Sequence, residues 1–162
     1  MDATLEQTIR ARIEIEKART EPPADAVPVP LIPTGRYTDP AFHELEKERV
    51  FGRTWLFVGH ESEWAEPGSY RLTTRSGAPI VVVRGEDEEL RAFYNACRHR
   101  GAPVTRDDCG TARRLTCQYH SWSYGTDGTL RSVPEARSFV GLDKEALGLV
   151  PVRCETWDGW VF

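Results

Sequence analysis

Two short clusters in this chain carry side chains that can do chemistry: Cys97-Arg98-His99-Arg100-Gly101 and Cys117-Gln118-Tyr119-His120-Ser121-Trp122. Written out, they are C-x-H, then 17 intervening residues, then C-x-x-H. Each supplies one thiolate and one imidazole, both of which bind soft and borderline metals. A binuclear [2Fe-2S] cluster with mixed ligands suits this distribution, because each loop can give its Cys to one iron and its His to the other. A single tetrahedral Cys2His2 zinc site needs the same four donors and is chemically reasonable. Zinc fingers, however, usually pair Cys with Cys and His with His, and the interleaved order here counts against zinc. Gly101 and Pro103 allow tight backbone bends close to an inorganic group, and Tyr119, Trp122 and Tyr124 can wall one side from water.

The other candidate ligands lack partners at useful spacing. Cys109 in Asp108-Cys109-Gly110 reads as an exposed turn residue and Cys154 as a buried strand residue. His43 lies among Glu residues on a helix and reads as a solvated surface group, while His60 follows a strand and reads as structural.

Those loops need a scaffold, and the 162 residues suffice for one domain and an arm. Hydrophobic residues make up 40% and charged residues 28%, enough apolar surface for a core. The net charge of −4 has the wrong sign for a chain held to nucleic acid by phosphate contacts. No apolar run is long enough for a membrane span and the N-terminus is charged throughout, so a cytoplasmic protein is expected. In that compartment four Cys are expected to bind metal or stay reduced.

Along the chain, Leu5, Ile9 and Ile13 put a narrow apolar stripe on a helix over 4–19. The stretch from Glu21 to Pro33 holds five Pro and reads as an extended arm. A capping Asp39 and Pro40 start a second helix that stops at Gly52. Strands follow: WLFVGH, then SYRLTTR, then a hairpin of PIVVVR and LRAFYN, then another around Asp127-Gly128. LDKEALG reads as a short helical turn, LVPVRCETWDGWVF as a final β-rich segment, and no internal repeat is evident. The expected fold is all-β: an antiparallel sandwich with a small two-hairpin subdomain at its tip and a helical N-terminal extension. The expected division is 1–33 for helix and arm and 34–162 for the domain. Trp160-Val161-Phe162 has the composition of a strand in mid-course, which suggests a piece of something longer.

At this point the sequence resembles a known family. CRHRG followed by CQYHSW looks like the Rieske [2Fe-2S] motif, and its surroundings resemble the N-terminal domain of α subunits of Rieske non-haem iron ring-hydroxylating oxygenases. The resemblance includes a Pro-containing arm, FGRTW from Phe51 to Trp55, Gly59-His60, the turn from Pro67 to Tyr70, and DGWVF at the end. It implies that Cys97 and Cys117 bind one iron and His99 and His120 the other, with Arg100, Gly101, Tyr119, Trp122 and Tyr124 around them. It also implies single-electron transfer from a ferredoxin or flavin reductase to a mononuclear Fe(II) that activates oxygen, in a subunit that forms trimers. That Fe(II) belongs to a C-terminal catalytic domain for which this chain has no ligands, since no His follows His120. The fragment is therefore not expected to hydroxylate alone. The alternatives are a self-contained Rieske-type ferredoxin and, less favoured, a zinc-stabilised binding module.

Respiratory-chain Rieske proteins carry an extra Cys in each loop and a Ser after the second His. Here Ala102, Tyr119 and Trp122 stand there, which places the expected potential at the low end of the Rieske range. Arg98, Arg100, Arg106, Arg113 and Arg114 lie in or beside the loops. Either they form ordinary salt bridges to Asp107, Asp108 and Glu residues, or they form a docking face for an acidic donor or a neighbouring subunit.

Overall fold

The computed structural model describes residues 3–162. These fall into two compact units, divided between Arg36 and Tyr37. In the first, helix α1 (Ala3–Ala18) is exposed along its whole length, Leu5, Ile9 and Ile13 included. It is laced by the ion pairs Glu6–Arg10 and Glu14–Lys17 at 2.8 and 2.9 Å, each worth only a few tenths of a kcal/mol, ~0.3–0.5. The Pro-rich stretch after it forms no regular element, and a single helical turn α2 (Gly35–Thr38) follows.

The second unit starts as its sequence predicts. Asp39 Oδ1 accepts the Ala41 N–H at 2.9 Å and Pro40 occupies the first turn of helix α3 (Pro40–Glu46). The helix then widens into a π-helical turn, Lys47–Phe51, and stops at Gly52, whose N–H reaches Lys47 O at 2.8 Å.

Eleven strands build the rest: β1 (Gly59–His60), β2 (Ser69–Thr73), β3 (Ile80–Arg84), β4 (Leu90–Tyr94), β5 (Cys109–Thr111), β6 (Leu115–Thr116), β7 (Ser123–Tyr124), β8 (Leu130–Ser132), β9 (Pro151–Val152), β10 (Thr156–Trp157) and β11 (Trp160–Val161). All pairings are antiparallel. They form three sheets, ordered β1-β11-β10, β5-β2-β3-β4-β9 and β6-β7-β8. The five-stranded sheet is the middle layer. Its central strand β3 is apolar from Ile80 to Val83 before ending on Arg84, and successive side chains point to opposite faces. Ile80 and Val82 pack with Trp64, Ala92 and Val161 towards the first sheet. Val81 and Val83 pack with Phe93, Leu115, Trp122 and Tyr124 towards the third. Both of the latter valines are fully buried, each contributing roughly 1.5–3 kcal/mol. Trp64 is fixed by its indole N–H, which donates to Val82 O at 3.0 Å.

Four expectations need correction. Of WLFVGH only Gly59 and His60 pair, because β1 has one neighbour and that neighbour, β11, is two residues long. Cys109 is exposed but lies in β5 rather than in a turn, and Cys154 is half-buried in the link between β9 and β10 rather than in a strand. The absence of a repeat also fails locally. Gly85-Glu86-Asp87-Glu88-Glu89-Leu90-Arg91 joins β3 to β4, and Gly125-Thr126-Asp127-Gly128-Thr129-Leu130-Arg131 joins β7 to β8, so G-x-D-x-x-L-R closes both hairpins. In each the Gly N–H donates to the carbonyl four residues on, Glu89 at 2.8 Å and Thr129 at 2.9 Å. The fourth residue takes a left-handed φ, 66° at Glu88 and 83° at Gly128. The Asp then holds the Arg four residues on, at 2.6 Å in both turns. Among the described residues no helix is long and apolar enough to cross a membrane.

Candidate metal centre

Two loops with one hydrogen-bond pattern position the four candidate donors. In the first, between β4 and β5, Cys97 N–H donates to Ala102 O at 2.8 Å and Gly101 N–H to Cys97 O at 2.8 Å. In the second, between β6 and β7, Cys117 N–H donates to Trp122 O at 2.9 Å and Ser121 N–H to Cys117 O at 2.9 Å. Both loops turn through a left-handed residue four positions after the Cys: Gly101 at φ 74° and Ser121 at φ 56°. Gly meets that requirement without strain, whereas Ser carries some cost.

The first loop is locked at its base by Asn95, which is 4% exposed. Its Oδ1 accepts the N–H groups of Val104 and Thr105 at 2.9 and 3.1 Å, and its Nδ2 donates to Thr105 O at 2.9 Å.

The donors converge as two pairs. Cys97 and Cys117 are buried in the same core cluster. Burial pushes the Cys97 thiol above its usual pKa and the neighbouring Cys117 adds to this, while bonds from Tyr124 and the His99 N–H oppose it. His99 and His120 face each other with ring centroids 4.7 Å apart. Burial lowers the pKa of His99, and the charges of His120 and Arg100 lower it further, so the ring is neutral near pH 7 with a free lone pair. The Nδ1 atoms of both His99 and His120 are buried with no hydrogen-bond partner. Such orphans are rare in folded proteins and point to a missing partner.

This arrangement fits a binuclear metal group. A buried thiol with a raised pKa is released from its proton when a metal cation binds it, and an unpartnered imidazole nitrogen is satisfied the same way. Among the described residues no three His, Cys, Asp or Glu side chains are grouped to hold one metal ion. The donors form a thiol pair and an imidazole pair instead.

The surrounding aromatics divide the work. Trp122 is 3% exposed and stacks on His99, with centroids 4.9 Å apart and planes 7° apart. Phe139 meets both edge-on, at 5.7 Å from His99 and 5.6 Å from Trp122. Tyr119 lies 4.0 Å from the His120 ring but is 58% exposed, so it covers that ring only from the solvent side. Tyr124 is fully buried on the thiol side. Its Oη accepts the Arg98 N–H at 3.0 Å and lies 3.2 Å from Cys97 Sγ. Burial and the adjacent Cys97 raise its pKa, so the phenol keeps its proton and has it to donate once the sulfur is a thiolate. The Arg100 side chain is exposed at the loop surface.

Sequence reasoning had missed Asn95 and Phe139. Asn95 could have been suspected as the polar residue ending LRAFYN just before Cys97; nothing local marks Phe139. The remaining candidates stay apart from the centre. His60 caps a 3-10 turn, its Nδ1 accepting the Ser62 N–H at 3.3 Å, and His43 Nδ1 lies 3.5 Å from Glu46 on an exposed helix face. Burial, followed by the charge of Glu155, pushes the Cys154 thiol up to about 11, which leaves it unreactive at neutral pH.

Comparison with known proteins agrees with this geometry. The Rieske [2Fe-2S] domain family matches residues 54–152. The chain is 46% identical over 127 residues to the benzene 1,2-dioxygenase subunit alpha of Pseudomonas putida, a match covering 78% of this chain and 28% of that subunit. It is 40% identical over 131 residues to the carnitine monooxygenase oxygenase subunit of Escherichia coli (strain K12), covering 81% of this chain and 35% of that one. Among solved structures, naphthalene 1,2-dioxygenase from Rhodococcus sp. superimposes with a TM-score of 0.77 at 37% identity, over 80% of this chain and 30% of that one. The chain thus spans about a third or less of the relatives it matches.

Proposed function

The chain belongs to the Rieske [2Fe-2S] domain family, and from that premise we propose that Cys97 and Cys117 ligate one iron of its cluster, and His99 and His120 the other. The observation that carries the assignment is the pair of buried, unpartnered Nδ1 atoms on two rings 4.7 Å apart. When bound, the [2Fe-2S] group supplies a site that accepts and releases one electron. The protein's part is to hold it. The loops preset four donors, Trp122 and Phe139 keep water from one imidazole, and Tyr124 directs a proton donor at one thiolate. With two neutral ligands the oxidised group is formally uncharged, which eases the uptake of an electron and places Rieske centres at roughly −150 to +300 mV.

The activity we infer for the whole protein is that of a Rieske oxygenase α subunit. Residues 34–162 receive single electrons from a ferredoxin or flavin reductase and pass them to a mononuclear Fe(II) in a further domain, where oxygen is activated. The division we propose sets 1–33 apart as an N-terminal helix and arm, and the complete subunit assembles as a trimer. Four free cysteines suit the reducing cytoplasm. Substrate choice is assigned outside the Rieske domain, because relatives similar at 46% and 40% over this same stretch carry the names of benzene and of carnitine.

Iron and acid-labile sulfide analysis of chain made under iron-replete, anaerobic conditions tests the centre, together with EPR after dithionite reduction. Equal iron and sulfide with a rhombic, low-average-g signal is expected. Stoichiometric zinc without sulfide overturns the reading.

Tyr124→Phe probes the thiol side. It removes the proton donor from Cys97 and leaves the Arg98 N–H without an acceptor. Loss of a bond that favours the reduced, more negative centre by about 1.4 kcal/mol lowers the potential by about 59 mV. Protein-film voltammetry of variant and wild type measures it, and identical potentials would remove Tyr124 from the set of tuning groups.

A further inference from the structure

The two hairpins closed by the same seven-residue turn differ in one place. In the first, pairing beyond the turn is regular: Arg84 faces Leu90, Val83 faces Arg91 and Val82 faces Ala92. In the second, Tyr124 faces Leu130 as Arg84 faces Leu90, but the next pair is Ser123 with Ser132. Arg131 is skipped in the ladder, so β8 carries a one-residue bulge that β4 does not have.

The order of side chains accounts for the difference. Along β4, Leu90 and Ala92 pack on one face of the sheet, two residues apart, as alternation requires. Along β8 the apolar residues are three apart. Leu130 and Val133, 5% and 7% exposed, enter one cluster with Trp122 and Tyr124, while Arg131 and Ser132 between them are exposed. A regular pleat puts residues three apart on opposite faces, and one extra residue brings them back to the same face. The extra residue is then tied down: Asp127 holds Arg131 at 2.6 Å. Their ion pair folds over Gly125, where a Cβ would stand 2.4 Å from Asp127 Oδ1 and 3.0 Å from Arg131 Nε. Gly125 directly follows Tyr124.

The bulge lies opposite the step from Ser123 to Tyr124, the residue whose hydroxyl is 3.2 Å from Cys97 Sγ and 3.0 Å from the Arg98 nitrogen. Arg84 occupies the same place in the regular hairpin; it is half-buried and donates to the carbonyls of Trp64 and Glu88. A bulge increases the local twist and re-aims the side chains beside it, and a hydrogen bond weakens steeply as its angle closes. We infer that the bulge in β8, set by Val133 and held by Arg131, aims the Tyr124 hydroxyl at Cys97, which makes Val133 and Arg131 positioning residues for the reduction potential of the centre. The inference rests on the proposed cluster ligation, and it extends the control of that centre to a strand that supplies no ligand.

The test uses cluster-loaded chain, with voltammetry for the potential and crystallography for the register. Ser132→Val/Val133→Ser puts the apolar residues two apart without changing any charge. It is expected to pair Ser123 with Arg131 and to lower the potential by about half or more of the shift that Tyr124→Phe produces. In the Tyr124→Phe background the same exchange is expected to shift the potential no further, because the bond it acts through is already gone. Val133→Thr keeps the side-chain shape but weakens its pull into the core; it gives a smaller fall and covers the case in which the double exchange fails to fold. Arg131→Gln and Asp127→Asn separate aim from field. Their charge changes alone would move the potential in opposite directions, whereas loss of aim lowers it in both. An exchange that loses the bulge at the parent potential overturns the inference. So does one that keeps the bulge, or one whose shift persists in full without the Tyr124 hydroxyl, and opposite shifts in Arg131→Gln and Asp127→Asn overturn the part given to Arg131. Each of these results leaves the cluster ligation standing; parent chain without iron and sulfide defeats that reading instead.

Discussion

His99→Cys and His120→Cys, loaded with cluster, are expected to have reduction potentials well below that of the parent. Each exchange replaces a neutral imidazole by a thiolate and so adds one negative charge at the iron that takes up the electron. The all-thiolate limit lies near −400 mV, against roughly −150 mV at the bottom of the Rieske range, so one exchange should cover about half that gap, on the order of 100 mV or more. The low end is the relevant starting point, since Ala102 and Tyr119 stand where a loop disulfide would need two cysteines, and Trp122 stands where respiratory-chain Rieske proteins carry a Ser. The two variants should differ in yield. His99 is held by a Trp122 face at 4.9 Å and a Phe139 edge at 5.7 Å, so a smaller Cys there leaves an apolar gap. His120 is covered by the exposed Tyr119, and its replacement disturbs less of the core. EPR-monitored redox titration reads the potentials. A variant that keeps equal iron and sulfide at an unchanged potential would remove that histidine from the ligand set.

What could be read in the sequence was what is decided locally. A capping Asp before Pro settles a helix start within three residues, and Asp39 does so. Two β-rich runs around the acidic turn Gly85-Glu86-Asp87-Glu88-Glu89 settle a hairpin, as in β3 and β4. The candidate donors were legible for the same reason: their spacing within each loop is sequence-local, and so is the turn that a glycine such as Gly101 permits. Features that depend on distant partners were not legible. WLFVGH has strand composition, yet how much of it pairs depends on β11, a hundred residues later. Cys154 carries no local sign that its link lies between two strands of different sheets. Phe139 reaches His99 and Trp122 from a segment without regular structure beyond a 3-10 turn. The repeated G-x-D-x-x-L-R turn spans seven residues, too few to stand out by self-similarity, and only the shared hydrogen bonds and backbone angles show it to be one device used twice.

Asn95→Ala tests whether the first loop holds its shape through one side chain. Asn95 stands two residues before Cys97, and its amide bonds to Val104 and Thr105 after the loop has closed. The bonds thus span the turn that presents Cys97 and His99. Val104 and Thr105 are 3% and 8% exposed, so water cannot easily replace the amide once it is lost. Two backbone N–H groups and one carbonyl lose their partner, each at a cost of roughly 1–3 kcal/mol when left unsatisfied. Local relaxation recovers part of that, and a net destabilisation of about 3–4 kcal/mol is expected from urea unfolding of the metal-free chain. Metal binding is coupled to ordering of the loops, so the holo variant should also lose its cluster faster to a chelator. Asn95→Asp separates geometry from mere stability. It keeps the acceptor for both N–H groups but turns the donor facing Thr105 O into a second oxygen, so it is expected to hold the loop while still destabilising the fold. If Asn95→Ala unfolds at the wild-type midpoint and sheds its cluster no faster, the base of the loop is held by the backbone pairs Cys97–Ala102 and Cys97–Gly101 alone.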